Sequence, residues 1–133
     1  MSSIFSKIVN RELPAYVVCE DQNFMAFLDI NPLAKGHTLV IPKKEIDYIF
    51  DIEDNVFKEL FAFAKKVALA LDRFSDAKRI GMAVIGLEVP HAHIHLVPIN
   101  SVFDIDFSKP KLKLSQREFE EIAKQINEFI LFG

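Results

Sequence analysis

One long amphipathic stretch, set between short apolar runs, limits the fold of this 133-residue chain more than any other feature. From Asp54 to Phe74, the residues Val56, Leu60, Phe63, Val67, Leu71 and Phe74 fall at steps of three or four, which puts them on one face of a helix. Phe57, Phe61 and Ala64 widen the stripe, so two sides of the helix are expected to pack, one against a sheet and one against a second chain. Around this helix the pattern is β-type. Tyr16–Glu20 and Phe24–Leu28, separated by the polar turn Asp21-Gln22-Asn23, predict a hairpin. His37–Ile41 is rich in β-branched residues and stops at Pro42, while Arg79–Ile85 and His91–Ile99 flank a loop holding Gly86 and Pro90. Ile4, Phe5, Ile8 and Val9 predict a short opening helix before Pro14. Ser115 and Glu118 form a capping box ahead of Phe119, Ile122, Ile126, Phe129 and Ile130, which predicts a closing helix of about 16 residues. Strands in succession with helices appended predict an α+β fold: an antiparallel sheet of about five strands with a long central helix and a C-terminal helix.

With 50% hydrophobic and 26% charged residues, positions 1–133 are expected to form one domain that buries a core without a disulfide or structural metal. The single cysteine, Cys19, sits in an apolar run and reads as a buried structural thiol. A net charge of −3 leaves no overall basic field for nucleic acid or an anionic membrane surface. No apolar run approaches the roughly 18 residues of a membrane span, and Met1–Ile8 lacks the pattern of a secretion signal, so a soluble cytoplasmic protein is expected.

Three of the four histidines are compressed into Pro90-His91-Ala92-His93-Ile94-His95-Leu96-Val97-Pro98. On a strand, alternate side chains share a face, so His91, His93 and His95 are expected to form a row with Ala92, Ile94 and Leu96 on the core side. Neutral imidazoles supply nucleophilic nitrogens, hydrogen-bond donors and potential cations, the groups needed to displace a substituent from phosphorus. His93 can attack with one ring nitrogen only if the other keeps its proton on a fixed acceptor, which the chain has to provide. His95 would donate to the leaving atom and His91 would orient the row. Any one of these histidines also fits a satisfied core or surface residue, but burying three rings without a role costs desolvation. A metal site is the rival reading. Alternate Cα atoms lie about 6.6 Å apart, so bonds of about 2 Å gather two neighbours more easily than three, and a carboxylate or His37 would have to complete the shell.

The run His91–Val97, His-x-His-x-His followed by two apolar residues, resembles the hallmark of the histidine triad (HIT) family. Ile4–Val9 with Leu13-Pro14, Ala26–Pro32 and Gly36–Lys44 look like successive segments of its Hint-like branch, so the likeness covers most of residues 1–98, while 99–133 add no motif. The resemblance implies an antiparallel α+β homodimer that accepts purine nucleoside monophosphates joined to a leaving group and needs no cofactor. It implies that His93 becomes nucleotidylated and that water then releases the nucleoside monophosphate. His95 would lie next to the leaving group, with His91 and His37 supporting the nucleophile. Asp29 matches the acid that binds ribose hydroxyls, and Ile4, Phe5, Phe27, Leu28 and Ile30 match base-pocket positions that read equally as core.

Departures from the family pattern shape the expectation. Ser3 and Ser6 stand where the zinc-binding branch has Cys-x-x-Cys, and Glu45–Asp47 hold no histidine, so no metal is expected. Ile80 and Leu87 stand where the family has an amide residue and a glutamine near the phosphate, and losing one such donor can cost on the order of 100-fold in rate. Backbone N–H groups around Gly86, Glu88 and Val89 are candidate replacements, since glycine allows close approach to an anion. The expected activity is cleavage of a nucleoside monophosphate from a phosphoramidate or polyphosphate. The alternatives are a purine nucleotide-binding protein with little or no turnover and a metal-dependent enzyme using the histidine row.

Overall fold

The computed structural model describes residues 2–131. Its elements run α1 (Ile4–Val9), β1 (Val17–Glu20), β2 (Phe24–Leu28), β3 (Thr38–Pro42), α2 (Asp54–Phe74), β4 (Arg79–Ala83), β5 (Ile94–Ile99) and α3 (Gln116–Glu128), with short 3-10 turns at Ile49–Asp51 and Val102–Ile105. Among the described residues no helix is long and apolar enough to cross a membrane.

The strands form one sheet in the order β1-β2-β3-β5-β4 with every neighbouring pair antiparallel, the expected α+β arrangement. Strands β2 and β3 are buried on both faces, because the side-chain alternation feeds two separate cores. Phe24, Ala26, Leu28 and Val40 join Ile94 and Leu96 beneath α2 and α3, whereas Met25, Phe27, Leu39 and Ile41 pack with Phe5 and Ile8 of α1 on the other face. Helix α2 spans the predicted residues. It starts where the Glu53 side chain accepts the N–H of Asn55 and presents Leu60, Phe63, Ala64, Val67, Ala70 and Leu71 to the larger core. Cys19 lies in that core, and burial pushes its thiol up to about 11, as befits a structural cysteine.

The capping box forms as predicted, with Ser115 accepting the N–H of Glu118 and Glu118 accepting the N–H of Ser115. Helix α3 nevertheless spans 13 residues, because Phe129 and Ile130 tighten into a turn that still buries Ile130. Two strand expectations are also corrected. β4 ends at Ala83 rather than Ile85, and β5 begins at Ile94 rather than His91. The N–H of His91 donates to the carbonyl of Val89 and that of Ala92 to Ile46, so neither enters the ladder with β3, and pairing begins at Ile94 opposite Val40.

Candidate active site

A cavity of about 600 Å³ opens on the α1 side of the sheet, a volume suited to a small-molecule ligand. Residues from six parts of the chain line it: α1 with Ile4 and Phe5, Leu13–Ala15 ahead of β1, Phe27–Asn31 at the end of β2, Leu39 of β3, the Ile85–Val89 loop with His93 and His95, and Phe107 with Lys111. Of the residues singled out in the sequence, Ile4, Phe5, Phe27, Leu28, Asp29, Ile30, Gly86, Glu88, Val89, His93 and His95 meet here. Phe5, Phe27 and Leu28 belong to the buried interior as well, whereas Ile4 and Ile30 are half or more exposed and stand at the mouth. Gly86 has φ +73° with open space where a Cβ would be, the conformation that lets the loop backbone turn toward the cavity.

The three histidines do not form a row on one strand. Only His95 belongs to β5, and only His93 and His95 line the cavity, with ring centroids 4.9 Å apart. His91 is fully buried behind them. Its Nε2–H donates to the carbonyl of Pro42 at 2.8 Å, so its Nδ1 accepts the hydroxyl of Ser3 at 2.9 Å. Ser3 in turn accepts the N–H of Ser6, and Glu45 accepts both the N–H of Ser3 and the hydroxyl of Ser6. Those bonds hold the Glu45 carboxyl down at about 2. Ser3, Ser6, Glu45 and His91 thus form a closed hydrogen-bonded clip whose donors and acceptors serve one another. Without a thiolate, this set does not fit the zinc that the cysteine-bearing branch would hold there.

His91 reaches its neighbour through the backbone. Its carbonyl accepts Nδ1–H of His93 at 2.7 Å, which leaves the Nε2 lone pair of His93 for the cavity. Phe5 sets its ring edge-on to those of both His93 and His91, at 5.1 and 5.9 Å. His95 has the opposite tautomer. The N–H of Leu33 donates to Nδ1 of His37, so His37 carries its proton on Nε2 and donates it to Nδ1 of His95 at 3.0 Å. The Nε2 of His95 therefore carries a proton on the cavity side. Burial holds both rings neutral: His37 is brought down to about 3, helped by the charges of His95 and Lys111, and His95 to about 4, helped by His93. Burial lowers His91 as well. His37 stands behind His95, outside the cavity lining, and so supports the donor rather than the expected His93.

The Oδ1 of Asp29 accepts the N–H of Asn31, and burial raises the carboxyl above its ordinary range. Oδ2 lies 3.5 Å from Nε2 of His37, too far for a strong hydrogen bond. Among the described residues, Asp29, His37 and His95 are the group whose ligand atoms gather within 4.8 Å, which replaces the histidine row as the place to test for a metal. This set does not fit one. With Nδ1 of His37 engaged by an amide N–H, its Nε2 has to lose a proton before it can ligate.

Sequence reasoning missed Phe107 and Lys111, which come from a stretch without periodicity, and it missed Asn31 and Ile85 at the rim. Of the two departures from the family pattern, Leu87 stands at the cavity and is 88% exposed, whereas Ile80 packs against the larger core.

Comparison with known proteins agrees with this geometry. The sequence matches the HIT domain over residues 10–102. An uncharacterised HIT-like protein of Borreliella burgdorferi is 38% identical over 132 residues, covering 93% of this chain and 95% of that protein. The adenosine 5'-monophosphoramidase of Schizosaccharomyces pombe is 30% identical over 130 residues, covering 96% and 97%. The crystal structure of a Hit-like protein involved in cell-cycle regulation from Bartonella henselae superposes with a TM-score of 0.86 at 31% identity, covering 96% of each chain. On sequence, fold and the arrangement of its histidines, the chain belongs to the HIT family.

Proposed function

We propose that this protein cleaves a nucleoside monophosphate, a purine nucleotide by preference, from a phosphoramidate or polyphosphate through a nucleotidyl-His93 intermediate. The observation that carries this reading is the pair of opposite tautomers in one cavity, a free lone pair on Nε2 of His93 beside a proton on Nε2 of His95. In the first step Nε2 of His93 attacks phosphorus and the bond from phosphorus to the leaving atom breaks. The leaving group departs with the electron pair, receives a hydrogen bond from Nε2–H of His95, and takes its proton from solvent. The imidazolium formed at His93 keeps its Nδ1–H on the His91 carbonyl, which disperses the new charge. Water then attacks phosphorus, its proton passes to solvent, and the electron pair of the P–N bond returns to His93. His95 acts as a neutral donor throughout, since burial keeps it uncharged at neutral pH.

The apolar lining of Ile4, Phe5, Phe27, Leu28 and Ile30 suits a base, and Asp29, an acceptor with Oδ2 still available, suits the ribose hydroxyls. Among the described residues no hydrogen bond takes the N–H groups of Gly86, Leu87 and Glu88, and these supply donors to the phosphoryl oxygens. The S. pombe relative's named activity supports the phosphoramidate class. A homodimer is part of the same proposal. Strand β4 is at the edge of the sheet, paired only with β5, and Leu69, Met82, Val102 and Phe103 are exposed apolar residues of 46% or more.

The test is mass spectrometry of protein quenched during turnover of an adenosine phosphoramidate. Wild type is expected to carry one adenylyl group, and His93→Ala none, with turnover reduced at least 1,000-fold, on the order of what losing a catalytic nucleophile costs. Nucleotide binding by wild type with no adduct and no released monophosphate across a panel of phosphoramidates and polyphosphates would leave the binding-protein alternative in its place.

A further inference from the structure

Residues 99–133 carry no motif, yet Phe107 and Lys111 complete the cavity that holds His93 and His95. Phe107 meets the ring of His95 edge-on at 4.6 Å and that of His37 at 6.1 Å. Lys111 is the one lining residue, among those described, with a permanent positive charge. Its ammonium is held in place, since Nζ donates to the carbonyls of Phe107 and Lys109. The strap bearing it is pinned in turn. The N–H of Lys109 donates to the carbonyl of Asp106, and the N–H of Leu112 to the carbonyl of Pro32 at 2.8 Å, beside the loop that carries Asp29. An ammonium has three N–H groups, and two are spent on these carbonyls, so the third is available to a ligand. The charge reaches the histidine end of the cavity, where it opposes the upward shift that burial gives Asp29 and adds to the downward shift that burial gives His37.

The charges around the cavity give this cation a task that neutral donors do not fill. Its lining carries two carboxylates, Asp29 and Glu88, and without Lys111 a phosphoryl anion would meet neutral donors, the Nε2–H of His95 and the Gly86–Glu88 amides, but no positive charge. Moving an anion into a partly desolvated site costs several kcal/mol unless charged or hydrogen-bonding partners replace water. Side chains at positions 80 and 87 do not supply them. Ile80, partly buried, packs against the larger core outside the cavity lining, and Leu87 is apolar.

We propose that Lys111 is a phosphoryl-binding residue: its ammonium, fixed by the Phe107–Lys111 strap, takes a non-bridging oxygen of the nucleotide's phosphate next to His93 and His95. This rests on the nucleotide reading given above and adds to it a residue from the part of the chain without a recognisable motif.

Calorimetric titration with adenosine 5'-monophosphate and with adenosine separates the possibilities, using wild type, Lys111→Met and Lys111→Arg. A charge-assisted hydrogen bond is worth about 1.5–3 kcal/mol, so Lys111→Met is expected to weaken the monophosphate by on the order of 10- to 100-fold. Adenosine affinity is expected to stay within about threefold, and Lys111→Arg to recover most of the loss. The ratio of the two affinities is taken within each variant, so a change in folded fraction cancels. Equal weakening of both ligands would mean that Lys111 braces the strap or serves Asp29 and the ribose, which the two ligands share. That result, or no weakening of either, overturns the assignment while leaving nucleotide binding intact. If wild type binds neither ligand, the nucleotide reading falls and Lys111 falls with it.

Discussion

Lowering the pH from 7 to 5 is expected to remove a large part of the protein's stability, because two histidines are buried as neutral bases. His37 is 1% exposed and His95 8%, and burial brings them from 6.5 to about 3 and about 4. In the unfolded chain both take up a proton near pH 6.5, while in the folded chain neither does until far lower. Their contribution is therefore complete above pH 6.5 and is lost as the pH falls toward the folded values. Integrating proton uptake between pH 7 and 5 gives about 2 kcal/mol for each histidine, with almost nothing returned by the folded state. The pair accounts for about 4 kcal/mol, against a total of about 5–15 kcal/mol for an ordinary domain. His91 shifts in the same direction and adds to the loss, while Asp29, raised by burial, acts in the opposite sense. The lowered carboxyls of Glu20 and Glu45 lose stability mainly below 4.5, under this window. Urea unfolding at pH 7, 6 and 5, followed by circular dichroism, measures the loss. His37→Gln removes one titrating ring, so its loss over the same interval should be smaller than that of wild type by about 2 kcal/mol, whatever its stability at pH 7. If variant and wild type lose the same amount, the neutral buried state of His37 is wrong, and with it the tautomer deduced for His95.

Ser3→Ala removes the nearer donor to Nδ1 of His91, leaving only the Ser6 hydroxyl at 3.4 Å, and strips the N-cap of α1. It is expected to cost about 2 kcal/mol in urea unfolding, and a change below about 0.5 kcal/mol would refute the clip as a stabilising element. Light scattering at tens of micromolar should give twice the chain mass if β4 pairs with a second copy, and the mass of a single chain at that concentration would remove the homodimer from the proposal.

Much of this architecture is legible in the sequence because periodicity reports burial. Helix α2 carries an uninterrupted stripe from Val56 to Phe74, and its two ends fall where the pattern does. The hairpin of β1 and β2 is readable for the same reason, with a polar turn between two apolar runs. Alternation along His91–Ile99 is misleading. It predicts a strand through all three histidines, whereas the amides of His91 and Ala92 are taken by Val89 and Ile46, partners that no local pattern reveals. The same limit applies to the acceptor behind His93. Its chemistry requires one, but the sequence cannot say that a main-chain carbonyl two residues away fills the role. His37 and Leu33 are near neighbours in the chain, yet the direction of their hydrogen bond sets a proton on His95, 58 residues later. Lys111 was hidden for a simpler reason: in Lys109-Pro110-Lys111 it looks like solvated surface, and only the fold brings it to the cavity.

Mutation cannot delete a peptide oxygen, so the partner that prepares His93 survives any side chain placed at position 91. What evolution or an experimenter can alter is where that oxygen sits, through the contacts that seat the imidazole of His91 against α1 and the end of β3. Variants that spoil the proposed nucleophile without touching it should therefore map to the serines of the amino-terminal helix, which lie outside the cavity lining.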